Sequence, residues 1–166
     1  MNQLTRLLLV GLAAVAPGAL AVCPVTPPAN PAVDVPGANR TDSRWYGTDA
    51  LAVELPWQGT LIGLGPAHNF REKLWFWRRG YEAGVEAHPL LGVAGVKFGS
   101  GEKSQRLSVR RATNGGGSGW EQMLTLVEFP SSGCWELTAT YVHADIEQEL
   151  KFVIRVGVEI TGTDIT

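Results

Sequence analysis

From about residue 50 onward, apolar and polar positions alternate with a period of two, the signature of strands that bury one face. The cleanest case is the run 149–160. Leu150, Phe152, Ile154, Val156 and Val158 fall on one side, and Lys151, Arg155 and Glu159 on the other. In the run before it, Cys134–Val142, Trp135, Leu137, Ala139 and Tyr141 make the apolar face. Cys134, Glu136, Thr138 and Thr140 make the polar one, so Cys134 is expected to point away from the core. Ala50–Leu55 sets Leu51, Val53 and Leu55 against Ala52 and Glu54, and Gln105–Thr113 sets Leu107 and Val109 against Ser108 and Arg110. Thr60–Leu64, Lys73–Trp77, Leu90–Phe98 and Trp120–Phe129 complete a set of about eight strands. Gly92 and Gly95 lead one to expect a bulge or a split in Leu90–Phe98. Arg78–Glu86 has room for a single turn of helix at most. Short strands at roughly 8–12-residue spacing, with breakers between them, predict an all-β protein. The expected fold is an immunoglobulin-like antiparallel β-sandwich of about eight strands, with a small barrel as the alternative.

The front of the chain breaks this pattern. Arg6, the ten-residue apolar run Leu7–Ala16, the Pro17-Gly18 break and Ala19-Leu20-Ala21 form the three parts of a secretory leader. The apolar run is too short to span a bilayer, which takes about 20 residues. Residues 22–44 carry five prolines between Pro24 and Pro36 and read as an extended Pro-rich arm, leaving 45–166 as the sandwich domain. Loss of residues 1–21 removes one basic side chain and takes the formal charge from −2 to −3. That charge, with a pI near 5.9, gives no footprint for nucleic acid. The expected location is outside the cytosol: periplasmic, cell-surface or secreted.

Export changes how the cysteines are read. Cys23 and Cys134 are the only two. In an oxidising compartment an even count favours a disulfide. This one would close a loop of more than 100 residues, worth roughly 4.7 kcal/mol in the chain-entropy account. A lipid anchor on Cys23 is the rival, since the residue follows the apolar run and precedes Pro24-Val25-Thr26-Pro27-Pro28. Val22, where a lipobox has a small residue, speaks against it. A membrane partner is expected only if Cys23 is lipidated. Two free thiols remain the third option. Cys134 beside Trp135 in a strand, with no histidine nearby, makes a poor nucleophile.

The most unusual stretch is Leu74-Trp75-Phe76-Trp77-Arg78-Arg79-Gly80-Tyr81. With Leu74 and Phe76 facing the core, Trp75 and Trp77 face outward beside the arginines. Trp75, Trp77, Arg78, Arg79 and Tyr81 then form a candidate binding surface for a glycan or an envelope protein, because Trp and Arg dominate binding hot spots. Alternatively, the Pro-rich arm lies over the tryptophans, and Arg78 and Arg79 stack on the aromatic surface. His68, His88 and His143 are scattered and form no H-x-H or H-x-x-x-H pair. A metal-handling protein or an enzyme built on them is the alternative function. His143, Asp145 and Glu147 crowd one turn, and Glu82, Glu86 and His88 share a loop; both sets also read as solvated residues. Arg106, Arg110 and Arg111 read as charges guarding a sheet edge. Asn114–Gly119 lacks the Lys-Ser/Thr ending of a phosphate loop. Asn39-Arg40-Thr41 matches a glycosylation sequon. No catalytic residue, cofactor site or metal-ligand set is assigned.

Three blocks carry a resemblance: Cys23-Pro24-Val25-Thr26-x-Pro28; Lys73-Leu74-Trp75-Phe76-Trp77-Arg78; and Phe129-Pro130-x-x-Gly133-Cys134-Trp135-Glu136-Leu137-Thr138 ahead of Phe152-Val153-x-Arg155-Val156. Together they resemble a family of exported bacterial proteins of unassigned function, similar to immunoglobulin-like sandwiches near their C-terminal strands. The resemblance implies export and a pairing of the two cysteine blocks, and brings no catalytic residue. The expected function is that of an exported, non-enzymatic module of the cell envelope, binding or accessory in role, with a lipid-anchored form of the same domain as a variant.

Overall fold

The computed structural model describes residues 23–30, 32–36, 43–63, 70–98, 107–109, 111–115 and 121–158. The leader, the sequon, His68, Arg106 and Arg110 lie outside them. The described residues are all-β and form two packed sheets. The strands are β1 (Ser43–Gly47), β2 (Ala52–Pro56), β3 (Thr60–Gly63), β4 (Phe70–Trp77), β5 (Leu90–Lys97), β6 (Ser108–Val109), β7 (Thr113–Asn114), β8 (Met123–Phe129), β9 (Gly133–His143) and β10 (Ile146–Val158). One sheet runs β1-β2-β4-β8-β6, with β7 also pairing β8. The other runs β3-β10-β9-β5.

Alternation produces the interior. Met123, Thr125, Val127 and Phe129 of β8 point inward, opposite Trp135, Leu137, Ala139 and Tyr141 of β9 and Phe152, Ile154 and Val156 of β10. Leu74 and Phe76 fill the space between the sheets as expected. Aromatic edges meet faces there: Phe76 and Phe152 have centroids 6.5 Å apart, and Phe129 and Trp135 5.6 Å. The Trp135 indole N–H, buried with the ring, donates to the Ser131 carbonyl at 3.1 Å.

Four features differ from the sequence expectation. The sheet is not wholly antiparallel, because β3 runs parallel to β10, Thr60 opposite Arg155. A strand precedes Ala50: β1 pairs with β2 through Trp45 opposite Glu54 and Tyr46 opposite Val53. Within the expected strand Gln105–Thr113, the described residues form two short pieces, β6 and β7, each paired with β8. β5 is unbroken despite its two glycines.

The Pro-rich arm is a strap. Cys23 lies over the outer side of the β9–β10 ribbon, bonded to Cys134. Thr26 then reaches the edge of β10, where its N–H donates to the Val153 carbonyl at 3.0 Å and its hydroxyl accepts the Val153 N–H at 2.8 Å. This is the stretch of edge just before the β3 pairing begins. Val25 passes so close to Gly59 that a Cβ there would stand 2.6 Å from a Val25 methyl; Gly59 also sits at φ +57°, so both demands select glycine. The strap next reaches β1, Ala29 N–H donating to the Trp45 carbonyl at 3.0 Å, and lays Val33 and Val35 on the outer face of the other sheet.

Candidate functional site

The outer face of the first sheet brings the aromatic stretch together with the strap. The ladder places Trp45, Glu54 and Trp75 in one row across β1, β2 and β4, and Ala52 beside Trp77 in the next. Val35, Trp45, Ala52 and Trp77 form a second apolar cluster, against which Val33 and Trp75 pack. Every residue of β2 but its last is therefore buried on both faces, including Glu54.

The expected surface of Trp75, Trp77, Arg78, Arg79 and Tyr81 does not exist as one exposed patch. Trp77, Arg78 and Tyr81 are buried, Trp75 is half-buried and only Arg79 stands in solvent. The physical reason is twofold: the strap covers the tryptophan side, and the loop after β4 folds back over the end of the sandwich. Arg79 pairs with Asp49. Beside that pair is a cleft of about 640 Å³ between strap and β1–β2 turn, lined by Ala29, Val33, Asp34, Thr48, Asp49 and Arg79 among others.

The buried polar centre lies under the folded-back loop. The Glu86 carboxylate receives the Arg78 Nη2 at 2.9 Å on one oxygen and the Tyr141 hydroxyl at 2.5 Å on the other, with His143 Nδ1 3.3 Å away. The Arg78 guanidinium lies 4.7 Å above the Tyr141 ring and also donates to the Arg79 carbonyl at 3.0 Å. Tyr81 donates its hydroxyl to the Glu86 carbonyl oxygen at 3.2 Å. Burial, reinforced by the negative Glu86, pushes both Tyr81 and Tyr141 up to about 12. With both carboxylate oxygens engaged, Glu86 is a lock that holds the loop to β9. A second tie works from the other sheet: Ala83 N–H donates to Glu121 at 2.6 Å, and Asn114 donates to the Ala83 carbonyl at 3.1 Å.

In the sequence Glu86 and His143 belong to two separate sets, both readable as solvated; the fold joins them. The usable signal was Tyr141, the polar end of an inward-facing row, which needs a partner for its hydroxyl. His88 is exposed, and Asp145 and Glu147 face solvent. Among the described residues no three His, Cys, Asp or Glu side chains gather as metal ligands. Arg111 is exposed.

The bridge between Cys23 and Cys134 joins residues 111 apart with their Cα atoms at 5.5 Å. Cys134 does point out of the core, so the strap is sewn to the outer side of the sheet opposite the one it shields. The site is thus a covered one: an aromatic face under a covalently anchored strap, and a charged lock under a loop. No family model matches the chain, and no curated protein or solved structure does so either.

Proposed function

We propose that the chain is an exported, non-enzymatic module of the cell envelope, immunoglobulin-like in its sandwich, that serves as a binding or accessory part. The observation that carries this reading is the Cys23–Cys134 bridge, because structural disulfides persist in oxidising compartments and are rare in the cytosol. The leader-like residues 1–21 and the resemblance of the cysteine blocks to exported bacterial proteins support it. A sulfur held in a disulfide cannot also carry a thioether lipid, which favours the unanchored form. The part open to a ligand is Arg79 with the cleft beside it, whose mixed apolar and charged walls suit a glycan or an extended segment of an envelope protein.

The test is the fate of the front end in the native host or an exporting one. The expected product starts just after Ala21 and weighs less than its reduced form by one pair of hydrogens, and its unreduced peptide map joins Cys23 to Cys134. Native material collected from outside the cytosol whose two thiols both react with a maleimide, or a chain retaining residues 1–21 in the cytosol, overturns the reading.

A further inference from the structure

Three of the sheet margins are occupied or short. β3 is only four residues long and Thr26 covers β10 ahead of it, Ala29 ties onto β1, and β6 and β7 have two residues each. The fourth margin, β5, is eight residues long, and among the described residues no strand pairs with its outer side. Phe98 N–H donates to the Cys134 carbonyl at 2.8 Å. By the alternation of an antiparallel ladder, the backbone groups of Leu91, Val93, Gly95 and Lys97 point to the open side. The outer face is apolar: Leu90 is 62% exposed, Val96 44% and Phe98 47%, and Val142 of β9 lies directly opposite Leu90. These are four of the six large apolar side chains exposed among the described residues. Exposed edges usually carry a guarding charge. The only charge on β5 is Lys97, and its ammonium is drawn back onto the Ser131 hydroxyl at 3.0 Å. A groove of about 470 Å³ runs beside Val93–Val96, bordered by Leu107, Glu136 and Thr138.

We infer that β5 is a homodimer edge, pairing antiparallel with β5 of a second copy about a two-fold axis at Ala94. The sequence is complementary to itself in that register. Val93 pairs with Gly95 of the other copy and Leu91 with Lys97, so every open-side backbone group gains a partner. On the outer face Leu90 meets Phe98 of the other copy, Gly92 meets Val96, and Ala94 meets itself. Large side chains face small or complementary ones, and no like charges oppose. The two four-stranded sheets become one continuous sheet, as a closed two-fold contact requires. A single strand pair buries less than a standard interface, so the affinity expected is micromolar rather than nanomolar. The inference does not depend on the export reading.

Sedimentation equilibrium of the disulfide-bonded chain, over about 1 µM to 1 mM, is expected to show a monomer–dimer equilibrium. Ala94 is exposed, so Ala94→Lys and Ala94→Glu leave the monomer folded. Each alone is expected to weaken dimerisation about fivefold or more through like charges face to face, and an equimolar mixture to restore it as a heterodimer. Wild type that stays monomeric throughout, assembly that continues beyond two copies, or a dimer untouched by either variant overturns the inference. If charge substitution unexpectedly perturbs folding, Ala94→Cys decides: the axis puts the two Cα atoms about 4.5 Å apart, so mild oxidation should yield a dimer linked through residue 94, and failure to cross-link counts against it.

Discussion

The molecule has two apolar assemblies that hold together for different reasons. The interior is made by strands: Trp135, Phe152, Phe76 and Phe129 are placed by period-two alternation and by ladders that fix register on both sides. The outer cluster of Trp45, Trp77, Ala52 and Val35 is half strand and half strap. Its covering layer has no ladder of its own beyond a few bonds at Thr26 and Ala29. A sheet face can thus be buried by a segment without secondary structure, provided that something else limits the segment's freedom. Here the disulfide does so, by restricting the unfolded ensemble and keeping the strap's front end near its seat.

Substitutions in the two assemblies should therefore behave differently. Trp135→Ala, deep between the sheets and hydrogen-bonded through its ring, is expected to cost about 3–5 kcal/mol in urea unfolding. A loss below about 1 kcal/mol would mean that the interior is not the tightly packed unit described. Next, replacing both Cys23 and Cys134 by serine should cost about 2–4 kcal/mol. It should also raise acrylamide quenching of the strap-covered tryptophans while leaving the interior ring protected. Quenching unchanged in this variant would show the strap seated without its anchor, erasing the distinction between the two assemblies.

A smaller effect separates the loop lock from both. Tyr81 and Tyr141 titrate near 10.0 when the chain is unfolded and near 12 when it is folded. Their contribution is complete below 10.0. As pH rises from there, the unfolded chain gives up phenolic protons that the folded chain retains, so unfolding releases protons and stability declines toward 12. Urea midpoints measured across that interval should fall, and Tyr141→Phe should flatten the fall. Smallest of all, Arg79→Ala breaks only the solvent-exposed pair with Asp49 and should move stability by no more than about 0.5 kcal/mol in thermal melts.

Much of the interior was legible in the sequence because one side of each long strand is uniformly apolar; the inward set of β9 and the outward Cys134 follow from counting by twos. The all-β class and an extended arm were equally readable, and the even cysteine count favoured the bridge over a lipid anchor on Cys23 or two free thiols. The aromatic stretch left two outcomes open, and the deciding facts were tertiary: Val33 and Val35 join the cluster of Trp45 and Trp77 only because the strap is led around the margin past Gly59 and Trp45. β1 escaped notice because Arg-Trp-Tyr-Gly is too short to establish a period. The parallel pairing of β3 with β10 has no local mark at all. The β9–β10 hairpin turns on Ala144 and Asp145, between paired His143 and Ile146, with Ala144 at φ +48°. None of the glycine or asparagine that normally flags such a turn is present. The Glu86 lock was hidden for a plainer reason: Glu86 and Tyr141 are 55 residues apart.

The strap also fixes an order of assembly. A ribosome makes Cys23, Thr26 and Thr60 long before Cys134, Val153 and Arg155, yet these late residues are the ones that receive them. The Cys23 segment must wait, thiol uncommitted, until the β9–β10 ribbon emerges. Completion of β10 is thus the event that lets the strap close, and a product truncated before β10 would leave the strap without its seat.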